Sequence, residues 1–321
     1  MSGVTRDFDR SVVLGGAGFV GSHLCDALLD TGTAVVGVDN FCTGRRENIA
    51  HLDDEPRFDL VHHDVTNPLP DLGPVDVIFH LASAASPVAY HRLPIETLRA
   101  GSLGTEHGLQ LAERYGARFV LASTSEVYGD PEQHPQNEDY VGHVNPIGPR
   151  SVYDEAKRFA EAMTFGYARQ RGVSVGVARI FNTYGPRMQP DDGRMVPAFI
   201  TRALADQPCT VTGNGCQTRS ICYVSDTVAG LLSLARSSEA GPINIGNPVE
   251  LTVNEIASLV AQISGSEAGI RHIAAVVDDP QRRCPDISRA VQRLDWRPMV
   301  QLEEGLKQTI AWFAEREPNH L

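Results

Sequence analysis

Short apolar runs alternate with longer amphipathic stretches from residue 11 to residue 182. SVVLG (11–15) reads as a first strand, and HLCDALLDTG, after a glycine-rich turn, as a helix ending at Gly32. AVVGVDN is a second strand ending at Asp39, and FDLVHHDVTN a third ending near Asp64 and Val65. DVIFHLAS is a fourth, with His80 to Ser83 at its end. A helical run carrying Leu98, Leu103 and Leu109 leads to RFVLAS, the fifth strand. SVYDEAKRFAEAMTFGYARQ suits a helix, and VSVGVARIFN is a sixth strand ending at Asn182. Six strand–helix alternations predict an α/β fold with a doubly wound parallel sheet. After Asn182 the rhythm breaks into TYGPRMQPDDGRMVP, a loop rich in Pro, Gly and charge. AFITRALAD then reads as a helix and TVTGNGCQTRSICYV as a turn-rich segment. The expected division is a first domain over 1–183, with returns of the chain near 220–247 through segments such as PINIG. A smaller lobe is expected over 184–321.

The turn after the first strand carries candidate chemistry. Gly16, Gly18 and Gly21 fit G-x-G-x-x-G, and Gly15, Gly18 and Gly21 share the same spacing. Glycine permits the tight turn and the approach of a pyrophosphate to the helix N-terminus. Alone the motif is weak; between a strand and a helix, with Asp39 ending the next strand 18 positions after Gly21, it reads as a dinucleotide fingerprint. Asp39 is placed to hold the ribose hydroxyls of NAD, whereas Arg45 and Arg46 leave NADP open on charge alone. The sheet edge nominates Gly15, Gly18, Phe19, Val20, Gly21, Asp39, Asn40, Thr43, Gly44, Asp64, Val65, Leu81 and Ser83 as the cofactor-binding set, with Tyr153 and Lys157 completing it. Those last two lie one turn apart on a single helix face. An ammonium beside a phenol favours phenolate, so the tyrosine pKa is expected to fall toward neutrality. A lone Tyr-x-x-x-Lys is common by chance. Thr124, Ser125 and Glu126, directly after the fifth strand, raise it to a proton-transfer site.

Composition narrows the partners. The 321 residues carry a net charge of −12, with 42% hydrophobic and 21% charged residues. That balance disfavours nucleic acid and anionic membrane surfaces. No apolar run approaches membrane-spanning length, and the polar start MSGVTRDFDR lacks a signal-peptide core, so a cytoplasmic location is expected. Cys25, Cys42, Cys209, Cys216, Cys222 and Cys284 form no C-x-x-C pair. They read as reduced thiols, with no metal site implied. The pair His62 and His63 is read as structural.

Longer motifs carry a resemblance: GGAGFVGSH, LASTSEVYGDPEQHPQNEDYVGHVNPIGPRSVYDEAKR, ARIFNTYGPRMQPDDGR, DDPQRRCPDI and LDWRPMVQLEEGLKQTI. Together they span nearly the whole chain, which resembles the extended short-chain dehydrogenase/reductase superfamily (the NAD-dependent epimerases and dehydratases). Within it the chain is most similar to the UDP-glucuronate decarboxylases. The resemblance implies a Rossmann domain with a small substrate lobe, NAD as cofactor and a nucleotide-sugar substrate. It implies a homodimer formed by the helix after Ser83 and the helix carrying Tyr153. Tyr153 takes the acid/base position, Lys157 its partner's, and Thr124 that of the hydroxyl on the same substrate oxygen. Glu126 and Ser125 take the adjoining active-site positions, while Asn182, Arg194, Arg219 and Arg283 stand with groups that hold the diphosphate or sugar acid. The implied reaction is decarboxylation of UDP-glucuronate through a 4-keto sugar, NAD being regenerated. Sugar-nucleotide dehydratases carry Asp-Glu where this chain has Ser125-Glu126, so the acid for a leaving hydroxyl is missing. A 4-epimerase, or another 4-keto-forming enzyme, is the alternative on this scaffold; a non-catalytic NAD sensor fits poorly with an intact Thr124, Tyr153 and Lys157. Four positions depart from the family pattern: Gly101 for an asparagine, Thr212 for an aromatic, Ala84 for a proline and Ala156 for a glycine. On this reading Gly101→Asn is expected to slow cofactor loss, and Thr212 to loosen base discrimination.

Overall fold

The computed structural model describes residues 7–274 and 282–316. Its centre is a parallel sheet whose inner strands are buried on both faces, which is why they read as largely apolar runs, while the edge strand Phe58–His62 is partly exposed. β1 (Arg10–Leu14), β2 (Ala34–Asp39), β3 (Phe58–His62), β4 (Val77–His80), β5 (Arg118–Thr124) and β6 (Val175–Ile180) follow the sequence rhythm. Val12, Val13, Leu14, Ile78, Phe79, Phe119, Val120 and Leu121 are fully buried. β3 stops two residues before the expected Asp64. There the Asp64 carboxylate accepts from Thr66 N at 2.9 Å, a local turn that competes with the ladder.

Helices cover both faces: α1 (Phe19–Asp30), α2 (Pro87–Arg92), α3 (Pro94–Arg99), α4 (Thr105–Tyr115) and α5 (Ser151–Arg171). The expected single helix through Leu98, Leu103 and Leu109 is broken. A π-helical turn at Ala100–Gly104 joins α3 to α4 and shifts the register. Leu109 is fully buried, whereas Leu98 and Leu103 are 38% and 40% exposed.

Beyond β6 come β7 (Thr183–Tyr184), α6 (Met195–Leu204), β8 (Cys209–Thr212), β9 (Thr218–Ser220), β10 (Cys222–Tyr223) and α7 (Val224–Arg236). β11 (Ile243–Ile245) then adds to the main sheet, parallel to β6, with Ile243 opposite Ala178. The seven-stranded order is β11-β6-β5-β4-β1-β2-β3. The order reverses between β1 and β4, where open α/β sheets form a ligand crevice. The remaining elements are β12 (Glu250–Thr252), α8 (Val253–Ser264), β13 (Ile270–Ile273), β14 (Arg282–Arg283), α9 (Ser288–Leu294) and α10 (Leu302–Arg316). They build small sheets, β12-β9-β14 and β13-β8, beside the main one. No helix among the described residues is long and apolar enough to cross a membrane.

Candidate active site

The crevice at the end of β1 is shaped by glycines. Gly15 has φ +89°, and a Cβ there would meet Ala82 N at 2.8 Å. At Gly21 a Cβ would lie 2.0 Å from the Gly15 carbonyl oxygen, so the first turn of α1 could not close onto the strand. Phe19 and Val20 open α1, where backbone N–H groups have no intrahelical acceptor. Gly15, Gly18, Asp39, Asn40, Thr43, Gly44, Asp64, Val65, Leu81 and Ser83 line one cavity. Phe19, Val20 and Gly21 shape the turn without lining it. Asp39 accepts from Ala17 N at 2.9 Å through Oδ2 and from Phe41 N at 2.8 Å through Oδ1. Burial raises its pKa, and those N–H bonds oppose the rise. Asn40 Nδ2 donates to Asp64 at 3.0 Å, tying the ends of β2 and β3 together. Ser83 Oγ is buried with no partner among the described residues. A glycine cradle with no room for side chains, a two-oxygen acceptor at the end of β2 and an unsatisfied hydroxyl suit the pyrophosphate, ribose and polar edge of a dinucleotide such as NAD. Cys42, His63 and Thr97 also line the cavity. The sequence carried no motif for them, because they arrive from turns and from α3.

The proton-transfer groups gather at the end of β5. Thr124 closes the strand, its hydroxyl accepts from Glu126 N at 3.3 Å, and it lies close enough to Tyr153 to favour the ionised phenol. A 3-10 turn, Ser125–Tyr128, carries Ser125 and Glu126. Tyr153 and Lys157 are buried on the first turns of α5, with the Lys157 Nζ 5.9 Å from the Tyr153 ring centre. Tyr90 stacks on Tyr153 at 5.5 Å and fixes the ring plane. The expected fall in the Tyr153 pKa is overturned: burial raises it, outweighing the effect of Thr124. Lys157 spends a donor on the Ala122 carbonyl at 2.8 Å, and burial lowers its own pKa to about 8. Desolvation of the phenol therefore exceeds the opposing effects of Thr124 and Arg194.

Glu126 is clamped by two arginines. Arg150, from the loop before α5, reaches Oε2 at 2.5 Å, and Arg283 of β14 pairs with Oε1. Burial opposes ionisation, but Arg283 and then Arg150 outweigh it and hold the carboxyl at about 2. Arg283 also donates to the Gly129 carbonyl at 2.8 Å, while its Nε has no partner among the described residues. Arg219 lies opposite Arg283 in the β9–β14 register and donates to the Thr218 carbonyl. Arg194 caps the start of α6, pairs with Asp192 and sits 5.7 Å over the Phe19 ring. It therefore stands beside the glycine turn. Asn182 lies just past β6 and accepts from Cys222 N through its carbonyl. Thr124, Glu126, Tyr153, Lys157 and Arg283 thus converge, and Arg150, absent from the sequence candidates, joins them. Its only signal was a place one residue before the helix.

The reading of Gly101 is corrected. Gly101 lies in the π-helical turn, where a Cβ would meet Ala156 O at 2.7 Å and Ala156 Cβ at 2.8 Å. Two of the departures thus meet: the carbonyl oxygen and the methyl of Ala156 together fill the space that a side chain at position 101 would need. Asparagine alone has no room there.

Residues 11–246 match the model of the NAD dependent epimerase/dehydratase family. A UDP-glucuronic acid decarboxylase 1 from Danio rerio is 54% identical over 315 residues, 98% of this chain and 75% of the relative. A UDP-glucuronic acid decarboxylase 1 from Arabidopsis thaliana is 51% identical over 314 residues, 98% of this chain and 72% of the relative. Among solved structures, the UDP-glucuronic acid 4-epimerase of Bacillus cereus in complex with UDP-glucuronic acid and NAD superposes with a TM-score of 0.85 at 29% identity, over 96% of this chain and 99% of that one. The chain belongs to the NAD dependent epimerase/dehydratase family.

Proposed function

We propose that this protein is an NAD-dependent carboxy-lyase that converts UDP-glucuronate to UDP-xylose through a 4-keto sugar. One observation carries the reading: Thr124, Tyr153 and Lys157 meet at the crevice beside an ionised Glu126 held between Arg150 and Arg283. NAD, when bound, accepts the C4 hydrogen with its electron pair and later returns it. Tyr153, once ionised, takes the proton of the 4-hydroxyl and gives it back, with Thr124 donating to the same oxygen. Burial opposes that ionisation, while Thr124, Arg194 and the positive charge that bound NAD would bring favour it. The ketone is β to the C5 carboxylate, so the carbon–carbon bond breaks with its electrons delocalised onto that oxygen. Thr124 and Tyr153 stabilise the resulting enolate by hydrogen bonds. Lys157 supports Tyr153, and Ser125 shapes the turn that presents Glu126.

The glycine turn, Asp39 and the Asn40–Asp64 pair hold the cofactor, while Arg194, Arg219, Arg283 and Asn182 hold the nucleotide sugar. On this reading residues 1–183, joined by the β11 return, form the cofactor domain and the chain beyond it forms mainly the substrate lobe. Carbon dioxide release from UDP-glucuronate tests the function. Formation of a 4-epimer with no carbon dioxide would replace it with the epimerase reading.

The subunit pairs about a two-fold axis through the outer faces of α3 and α5. Ile95 is 54% and Phe159 48% exposed there, beside the exposed Leu98 and Leu103. Such a patch suits an isologous contact. Sedimentation should report a dimer at micromolar concentration, and a monomer alone refutes the pairing. Six cysteines free of disulfides suit a reducing, cytoplasmic setting.

A further inference from the structure

Decarboxylation consumes a proton. A carboxylate leaves as neutral carbon dioxide, and the carbon that loses it must gain hydrogen from solvent. Tyr153 is not the source, since its proton is exchanged with the 4-hydroxyl. Glu126 is not the source either: Arg283 and Arg150 occupy its two oxygens and keep it ionised.

A second cleft, of about 470 Å³, is lined by Glu126, Arg150 and Asp154. It runs from exposed Asp130 and His143 inward to Arg150, Glu126 and Asp154. Asp154 is 5% exposed, and its Oδ1 has no hydrogen-bond partner among the described residues. It follows Tyr153 on α5. Desolvation raises its carboxyl to about 7; Glu126 adds to the rise, and Arg150 and Arg283 oppose it. Glu155 on α5 repels it weakly, and Tyr90 faces it from α2. It is the buried carboxyl of this cluster that still holds a proton near neutral pH.

We propose that Asp154 supplies, through solvent in this cleft, the proton that C5 takes up after carbon dioxide leaves. The proposal rests on the decarboxylase reading. The enolate electron pair forms the C5–H bond, Asp154 becomes a carboxylate, and it regains its proton from solvent at the Asp130–His143 mouth. Asp154 acts through solvent and does not touch the sugar.

The test is a single turnover with the full chain, NAD and limiting UDP-glucuronate. Carbon dioxide release and the absorbance of reduced NAD are followed together. Asp154→Asn keeps the shape and removes the exchangeable carboxyl proton. The first carbon dioxide should appear within about twofold of the normal rate, while decay of reduced NAD slows roughly a hundredfold, the scale of a general-acid contribution. Asp154→Glu should restore part of that decay. In the unmodified protein the decay should slow as pH rises through about 7, where Asp154 loses its proton, and Asp154→Asn should flatten that limb. Unchanged decay and an unchanged pH profile in Asp154→Asn would overturn the proposal while leaving the decarboxylase reading intact. No carbon dioxide from the unmodified protein would overturn both.

Discussion

The two ends of the crevice are built in different ways. The cofactor end draws on neighbours in sequence: the turn of Gly15 to Gly21, Asp39 at the end of β2 and Asp64 after β3. The substrate end brings Glu126, Arg150 and Arg283 together from segments as much as 157 residues apart. A backbone cradle needs only glycine and a strand–helix junction, so a local motif suffices to make it. A clamped carboxylate needs three chain segments, and it exists only once β14 lies beside β9. The cofactor end should therefore tolerate changes at the substrate end, but not the reverse, since the catalytic tyrosine serves both.

The largest expected effect tests where the two ends meet. Tyr153→Phe removes the phenol hydroxyl beside Thr124. Reduced NAD and carbon dioxide should both fall by about 10³-fold, within the range for general acid–base groups, with substrate affinity nearly unchanged. Turnover near the normal rate would place the proton path elsewhere.

Glu126→Ala probes the clamp. Removing the carboxylate leaves Arg283, 3% exposed, facing Arg150 unpaired, at a cost of about 3 kcal/mol in denaturant unfolding. The sign with pH follows from the depressed value. The ion pairs contribute fully above the unfolded value near 4.5, and their contribution is lost as pH falls through about 2. The stability gap between the two proteins should narrow on acidification over that range. A gap independent of pH would mean that packing, not charge, holds the turn.

Gly101→Asn should destabilise by about 2 kcal/mol through overpacking against Ala156. Gly101→Asn with Ala156→Gly should recover only part of that loss in thermal unfolding, because the carbonyl oxygen of residue 156, 2.7 Å from the new Cβ, remains. Additive single effects would show that the two positions do not share one space.

Asp39→Ala should weaken NAD binding by about tenfold, the scale of one hydrogen bond to a charged acceptor, and relax the preference over NADP. Equal affinity of the unmodified protein for the two cofactors would remove Asp39 from that role. The smallest effect is expected at Thr212, the last residue of β8. Thr212→Tyr should tighten UDP binding by about 1 kcal/mol if its ring covers the base, and an unchanged affinity would assign the covering surface to another side chain.

The sequence by itself determined the parallel sheet, the glycine turn and the Tyr153–Lys157 pair, because each follows from spacing along one strand or helix. Apolar runs of strand length, glycine where a Cβ would strike backbone, and an i, i+4 pair are local rules. The tertiary structure alone decided the sign of the Tyr153 shift, since burial is a property of everything packed around the ring. It also decided that Gly101 and Ala156 meet across two helical segments, and that Arg150 joins Arg283 on Glu126. Steric exclusion and desolvation act between atoms near in space, whatever their separation in sequence, and no periodicity along the chain encodes them.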